Sequence, residues 1–231
     1  MIKQIAKDIN EISLERMMEI VDESWHILES GGIIISQLDV SYGFMGVTPD
    51  AIKRINELKR RNRYKYASVF GTNSQALKLL LHQRRHIYLI EALEDAGYPV
   101  AYMGKINHKE GLIKQLPKEM DQYLATDDTL TVFANLGRIS SYLPLSAETN
   151  GQFILGSSAN ITGMGNIYES SKLPRHFIES CDLIVGNGSS KYKELRLKTA
   201  IISLLDDTVM RIGPFHQEIQ DLVNVAVKKF R

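Results

Sequence analysis

The stretch QFILGSSANITG, residues 152–163, places an apolar run directly before a loop of small polar residues. The apolar part predicts a buried strand. The polar part, SSANITG at 157–163, has two interpretations. Ser, Asn and Gly are common in ordinary turns. Short hydroxyl and amide side chains also bind phosphate oxygens or a hydrated cation, and a glycine lets the backbone approach closely. Taken alone, the pattern favours the turn.

Strands and helices alternate on both sides of this stretch. Apolar runs and their flanking turn residues predict strands at 31–36, 66–72, 129–136, 152–158 and 182–188, a strand or loop at 99–104, and a hairpin over 198–213. Apolar residues at helical spacing predict helices at 2–29, 48–62, 74–97 with a break near His86, 112–125 with an interruption at Pro117, and 214–230. The alternation predicts an α/β (α+β) fold with a mixed sheet of six or more strands and flanking helices.

Length and composition are those of an ordinary globular protein. The 231 residues show no repeat or linker, so we expect one domain over 1–231, with an N-terminal helical segment at 1–30 and a C-terminal helix at 215–231. The formal net charge of +1 excludes a global attraction to nucleic acid, so a basic site must be local. The sequence has no apolar run of membrane-spanning length and no signal-peptide pattern, and it has one cysteine; we therefore expect a cytoplasmic protein with no membrane partner.

The most basic stretch is KRRNRYK, residues 59–65, at the end of a predicted helix. Lys and Arg are favoured in a last helical turn, so a solvated helix end is one interpretation. The other is an anion clamp, because Lys supplies a point charge and Arg a fork that matches phosphate oxygens. Nucleotide and RNA backbone both suit such a clamp.

Other polar residues offer weaker signals. DVSYG, residues 39–43, follows a buried strand, where α/β sheets tend to bind ligands, although a self-capped turn is the alternative. His82 and His86 have metal-ligand spacing, but no Cys or Glu on the same helical face completes a tetrahedral site. Cys181 precedes an apolar strand, which favours a place in the core over a catalytic role. We therefore expect no catalytic nucleophile.

The order of these motifs resembles the YrdC-like family of threonylcarbamoyl-adenylate synthases, from about Gly31 to Gly213. The shared pattern is D-x-x-Y-G after an apolar strand, K-x-R after a helix, S-A-N-x-[ST]-G and an R-x-G hairpin. The resemblance implies a twisted mixed sheet around a deep basic cavity. It also implies a nucleotidyltransferase-type enzyme that joins ATP, bicarbonate and L-threonine into threonylcarbamoyl-AMP. A partner complex then transfers the threonylcarbamoyl group to tRNA.

The resemblance also assigns site residues. It places ATP on Lys59, Arg61, Lys65, Ser158, Asn160 and Arg211. It places the second substrate on Asp39, Tyr42, Gly43 and Thr199. Mg²⁺ would enter with ATP, held mainly by phosphates and water, so no carboxylate cage is expected. Attack on the α-phosphate builds negative charge, and cations and loop donors can stabilise it without a protein nucleophile.

The sequence departs from the family's pattern mainly in the second-substrate motif. The family's P-T-D-T-x-Y-G reads QLDVSYG at 37–43, so Gln37, Leu38 and Val40 replace a proline and two threonines. Asn135 falls near a family arginine, which Arg138 replaces only if its loop bends back, and Lys198 stands for a serine. K-P-L reads KYA, and LPKEM is nearest to the missing P-G-P-L-T. We therefore expect an ATP-binding protein whose acceptor amine is not threonine, or whose threonine chemistry is impaired. The alternatives are a non-catalytic nucleotide- or RNA-binding protein that uses the same cavity, and a structural partner with a decayed site.

Overall fold

The computed structural model describes residues 3–5, 8–61, 67–115, 118–124 and 127–230. In these ranges ten strands form one mixed sheet with the order β1-β8-β2-β3-β7-β4-β6-β5-β9-β10. The strands are β1 (Lys3–Ile5), β2 (Ile34–Gln37), β3 (Tyr42–Gly46), β4 (Ser68–Phe70), β5 (Val100–Lys105), β6 (Thr129–Ala134), β7 (Ile154–Ser158), β8 (Leu183–Val185), β9 (Ala200–Ser203) and β10 (Thr208–Arg211).

Helices flank this sheet. They are α1 (Leu14–Glu29), α2 (Pro49–Leu58), α3 (Asn73–Leu79), α4 (Arg84–Ala96), α5 (Gly111–Gln115), α6 (Lys118–Leu124), α7 (Arg138–Thr149), α8 (Arg175–Ser180) and α9 (His216–Lys229), with two short 3-10 helices at Ser170–Lys172 and Lys193–Leu195. The expected α/β class with a mixed sheet and flanking helices is confirmed. No helix in the described ranges is both long enough and apolar enough to cross a membrane.

The sheet is covered on both faces, which explains its continuous apolar strands. In β2 and the residue before it, Ile33 and Ile35 lie in one hydrophobic cluster while Ile34 lies in the other. Helices α2, α4 and α9 bury residues in the first cluster, and α1 and α7 bury residues in the second. The alternation of a strand's side chains thus divides the core between two layers of helices.

Local signals place several elements correctly. The Thr48 side chain accepts a hydrogen bond from the backbone N–H of Ala51 and caps α2, with Pro49 in the first turn. Helix α4 ends at Gly97, which has the left-handed backbone (φ +66°) typical of a helix stop. The predicted hairpin over 198–213 is the antiparallel pair β9–β10.

Three expectations were wrong or incomplete. The helix predicted over 2–29 begins only at Leu14, because Lys3–Ile5 forms a strand that pairs in parallel with Leu183–Val185. The stretch Tyr42–Gly46 is a strand that the sequence prediction missed, because two of its five residues are glycines, which are typical of turns. Helix α7 (Arg138–Thr149) was likewise missed, and it contains Pro144. Pro117 lies outside the described residues.

The centre of the sheet positions a cavity. Strands β3, β7, β4 and β6 are consecutive neighbours there. The segment 38–41 joins β2 to β3, and SSANITG begins with the last two residues of β7 and continues into the loop after it. Gly43 pairs with Ser158 across β3 and β7, so the two polar motifs at 39–43 and 157–163 lie side by side.

Candidate functional site

A cavity of about 330 Å³ lies over these central strands. Eight of the ten residues assigned from the sequence line it: Tyr42, Gly43, Lys59, Arg61, Ser158, Asn160, Thr199 and Arg211. Asp39 is not part of the lining, and Lys65 lies outside the described residues. The structure therefore brings together residues that are more than 160 positions apart in the chain.

The loop SSANITG is a closed turn. Asn160 accepts a hydrogen bond from the Ser158 hydroxyl at its Oδ1 and donates from its Nδ2 to the carbonyl oxygens of Ile161 (2.9 Å) and Met164. Gly163 has φ +88°, which favours glycine. The loop is thus both a self-bonded turn and part of a cavity wall. Asn160 holds its shape, so the two interpretations of the sequence are not exclusive.

Lys59 ties helix α2 to this loop. Its side chain is 2% exposed, and its Nζ donates to the carbonyl oxygens of Ser158 and Asn160 (2.6 Å for Asn160) and to Asn160 Oδ1 (3.4 Å). Its own carbonyl oxygen accepts from the N–H of Thr162 at 3.0 Å. Its ammonium therefore contacts the loop and does not extend into open space as a clamp does. It brings positive charge beneath the loop and fixes the loop's position.

Three further cations line the cavity. Arg61 donates from Nη1 to Asn56 Oδ1 (3.3 Å), and Arg211 donates from Nε to the carbonyl oxygen of Thr199 (2.7 Å). Burial lowers the pKa of both guanidinium groups, although arginine stays charged in proteins. Lys198 is exposed and also belongs to the cavity lining. No Asp or Glu of the described chain lines the cavity, so its charge is positive and suits an anionic ligand.

Three buried polar atoms in the lining have no hydrogen-bond partner among the described residues. They are Arg61 Nε, Ser157 Oγ and Thr162 Oγ1. Buried polar atoms are nearly always paired, so such atoms call for a ligand or a water as partner. The sequence prediction missed Ser157 and Thr162 as site residues. Their signal was present, because both belong to SSANITG.

Only part of the DVSYG motif lines the cavity. The carboxylate of Asp39 lies against Gly137 (φ +107°), where an added Cβ would collide with it. Burial raises the pKa of Asp39, while the nearby charge of Lys191 lowers it. Tyr42 is buried; its hydroxyl donates to the carbonyl oxygen of Gly188 (2.9 Å), and burial raises its pKa. Asp39 and the Tyr42 hydroxyl thus support the wall from behind.

The departures from the family's pattern also have structural explanations. Gln37 donates from Nε2 to Asp8 Oδ1 and to the carbonyl oxygen of Ser189, both at 2.9 Å, so it anchors the segment that precedes α1. Arg138 donates to the carbonyl oxygens of Ile9 and Ile12 in that same segment (3.3 and 2.5 Å). Its loop does not bend back, and Arg138 does not line the cavity.

Asn135 is also directed elsewhere. Its Nδ2 donates to the carbonyl oxygens of Leu93 (3.2 Å) and Tyr98 (3.1 Å), and its Oδ1 accepts from Asn73. Neither Asn135 nor Arg138 therefore replaces the family's arginine at the cavity. The positive charge of the described lining comes instead from Lys59 and Arg61, which follow α2, and from Lys198 and Arg211.

The described part of the cavity lining contains no carboxylate ligand for Mg²⁺. Mg²⁺ prefers carboxylate and other oxygen ligands in octahedral geometry, and the described lining has no carboxylate. The carbonyl oxygen and Oδ1 of Asn160 accept from the ammonium of Lys59, which would repel a metal ion placed on them. The described residues contain no cluster of three His, Cys, Asp or Glu side chains that could hold a metal elsewhere.

The other candidates from the sequence have structural roles. His86 is 2% exposed; its Nε2 lies 2.8 Å from Asp207 Oδ1, and its Nδ1 accepts from the N–H of Gln83. Cys181 is buried, and burial raises the pKa of its thiol to about 12, so the thiolate is strongly disfavoured.

The fold is that of known YrdC-like proteins. The hypothetical protein smu.1377c from Streptococcus mutans UA159 matches with a TM-score of 0.78 and 18% identity, over 97% of this chain and 94% of that one. YciO of E. coli matches with a TM-score of 0.68 and 17% identity, over 93% and 96%. P. abyssi Sua5, solved in complex with L-threonine, matches with a TM-score of 0.65 and 17% identity.

The match to Sua5 covers 89% of this chain and 55% of Sua5. No protein-family model matches the sequence, and no curated protein matches it. The structural matches confirm the resemblance noted from the motifs as a divergent form of the YrdC-like fold.

Proposed function

We propose that the chain binds ATP in the central cavity and forms an acyl- or carbamoyl-adenylate, with release of pyrophosphate. The observation that carries this proposal is a cavity lining with four cationic side chains and no described carboxylate. Three unpaired polar atoms in the same lining supply further hydrogen-bonding groups for the ligand. Phosphates satisfy both features, because they carry negative charge and several acceptor oxygens.

The residues divide the proposed task between them. Arg61, Arg211 and Lys198 would bind phosphate oxygens, and the Thr162 hydroxyl would donate to another. Lys59 would hold the SSANITG loop in place from below. An oxygen of the acceptor would attack the α-phosphorus of ATP. The bond from this phosphorus to the oxygen that bridges the α- and β-phosphates would break, and pyrophosphate would leave. The fixed cations would stabilise the negative charge that develops. Mg²⁺ would enter with ATP and neutralise phosphate charge.

The acceptor is an amino acid or the carbamate formed from it and bicarbonate. L-threonine is the amino acid in the Sua5 complex, but Leu38 and Val40 occupy the positions of two family threonines here. We therefore propose a substrate other than threonine. By the same resemblance, a partner complex would transfer the product's acyl or carbamoyl group to tRNA.

Pyrophosphate release tests the proposal. Purified protein is incubated with ATP, Mg²⁺, bicarbonate and each of the twenty standard amino acids in turn. We expect release that depends on one amino acid or a small group of them and is lost in Arg211→Gln. If no amino acid releases pyrophosphate, the enzyme proposal fails.

The effect of ligands on thermal stability distinguishes the proposed ATP-dependent enzyme from an RNA-binding protein. A ligand that binds the folded state raises its stability by mass action. We expect ATP–Mg²⁺ to raise the midpoint of unfolding. A shift with RNA alone, falling steeply with salt, would support the RNA-binding alternative instead.

A further inference from the structure

The cavity has a second face that is apolar. Its side chains come from the segment before β3, from β4 and from the end of β6 and the residues after it. Leu38, Val40, Phe70, Phe133 and Leu136 line the cavity and form this apolar wall. Leu38, Val40, Phe70 and Leu136 belong to one hydrophobic cluster, and Phe133 packs against it.

The backbone directs Leu38 and Val40 toward the cavity. The N–H of Asp39 donates to the carbonyl oxygen of Leu136 (2.8 Å), and the carbonyl oxygen of Asp39 accepts from the N–H of Tyr192 (2.9 Å). The Asp39 side chain lies against Gly137, outside the lining. Its two neighbours line the cavity together, so an apolar pair faces the ligand and the single carboxylate does not.

The apolar wall is tightly built. A Cβ placed on Gly43 would lie 3.0 Å from Leu38 Cδ1 and 3.3 Å from Phe70 Cζ, so these two side chains meet over the glycine. The rings of Phe70 and Phe133 stack with centroids 5.7 Å apart. The hydroxyls of the described lining belong to other residues, among them serines 41, 68 and 157. No side chain of the wall itself can hydrogen-bond to a ligand.

The apolar wall adjoins the face that we assign to phosphate. Gly43, which Leu38 and Phe70 cover, is the direct pairing partner of Ser158 in the SSANITG loop. A ligand on the wall therefore lies next to a phosphate on the loop. Attack on a phosphate requires this proximity of the acceptor to the reacting centre.

We propose that the apolar wall binds the side chain of the acceptor, so that the acceptor is an aliphatic α-amino acid without a side-chain hydroxyl. This inference rests on the proposed function, because it names the substrate class of the same site. L-valine and L-threonine form the critical pair, since they have nearly the same shape and differ by a methyl in place of a hydroxyl. A hydroxyl buried against the wall would lose its hydrogen bonds to water.

The test measures binding of L-valine and L-threonine by calorimetry, with the protein saturated by α,β-methylene-ATP and Mg²⁺. We expect L-valine to bind about tenfold to a hundredfold more tightly than L-threonine, the range by which an apolar pocket discriminates against an added hydroxyl. The variant Val40→Thr should reduce the ratio of L-valine affinity to L-threonine affinity. Val47→Thr is the matched control, because Val47 is buried in the same cluster and does not line the cavity.

Three results would overturn the inference. The first is binding of L-threonine as tight as that of L-valine, and the second is no binding of either. The third is a Val40→Thr variant that binds α,β-methylene-ATP more weakly and leaves the ratio of L-valine to L-threonine affinity unchanged. That result would place the nucleobase on the apolar wall. Selective binding of L-valine without pyrophosphate release from any amino acid would support the apolar subsite and count against the proposed reaction alone.

Discussion

The ammonium of Lys59 donates a hydrogen bond to the carbonyl oxygen of Asn160 at 2.6 Å, across 101 residues of sequence. This contact joins the end of α2 to the loop after β7. The basic motif suggests that its cations clamp an anion, but its first cation, Lys59, supports the loop. Its third cation, Arg61, has a buried Nε without a partner among the described residues, in the cavity lining.

Lys59→Met tests this support. The variant keeps an unbranched side chain but leaves carbonyl and amide oxygens of the loop without their buried donor. We expect the free energy of unfolding to fall by about 1–3 kcal/mol, as for other unsatisfied buried groups, and ATP affinity to fall as well. Chemical denaturation measures the first effect. Lys53→Met is the control, because Lys53 is exposed on the same helix; an equal loss in both variants would contradict the assigned role.

Thr162→Val separates binding from stability. The substitution keeps the shape and removes a buried hydroxyl that has no partner in the described chain. We expect the unliganded protein to be as stable as the wild type or more so, and ATP to bind roughly 2- to 12-fold more weakly, the equivalent of one neutral hydrogen bond. Thermal unfolding with and without ATP measures both. An unchanged affinity would mean that this hydroxyl does not contact the nucleotide.

Gly137→Ala tests the packing behind the cavity. Gly137 has φ +107°, and a Cβ there would collide with the Asp39 carboxylate. We expect a loss of about 1–3 kcal/mol in the free energy of unfolding. Gly111→Ala is the matched control, since its backbone is ordinary and an added Cβ meets nothing within 4 Å. Equal stability of the two variants would refute the described geometry at Gly137.

His86 predicts a pH dependence of stability. Burial lowers its pKa below the ordinary value of about 6.5, although Asp207 opposes this shift. The unfolded chain therefore binds this proton at higher pH than the folded chain does, and the stabilisation is lost as the pH falls below about 6.5. We expect the midpoint of thermal unfolding to drop between pH 7 and pH 5, and the drop to be smaller in His86→Gln. An equally large drop in His86→Gln and in the wild type would contradict this role of His86.

The sequence predicts those elements whose signals are local. Helix α2 has its cap, its proline and its apolar stripe within twelve residues, and it was placed correctly. Strand β1 could not be found this way, because Lys3–Ile5 is a strand only through pairing with Leu183–Val185. The apolar residues around it fit helical spacing equally well, and only the long-range partner decides between the two.

For the candidate site, too, the sequence predicted some features and not others. Residue types and motif order indicated which side chains belong together, and eight of them line one cavity. The directions in which the side chains point could not be predicted from the sequence. Asp39 lies outside the lining because its backbone is fixed by Leu136 and Tyr192, and Arg138 is held by carbonyl oxygens of the N-terminal segment. Each of these contacts joins segments that are distant along the chain.

The central claim, that the cavity binds the phosphates of ATP, is tested most directly by calorimetric titration of ATP–Mg²⁺ into the wild type, Arg61→Gln and Arg60→Gln. Arg60 is exposed and does not line the cavity, so the two variants remove the same charge from adjacent positions. We predict saturable binding to the wild type and to Arg60→Gln, and a loss of about tenfold to a hundredfold in Arg61→Gln, the equivalent of one charge-assisted hydrogen bond. Absence of binding to the wild type at millimolar ATP, or equal losses in the two variants, would contradict the claim.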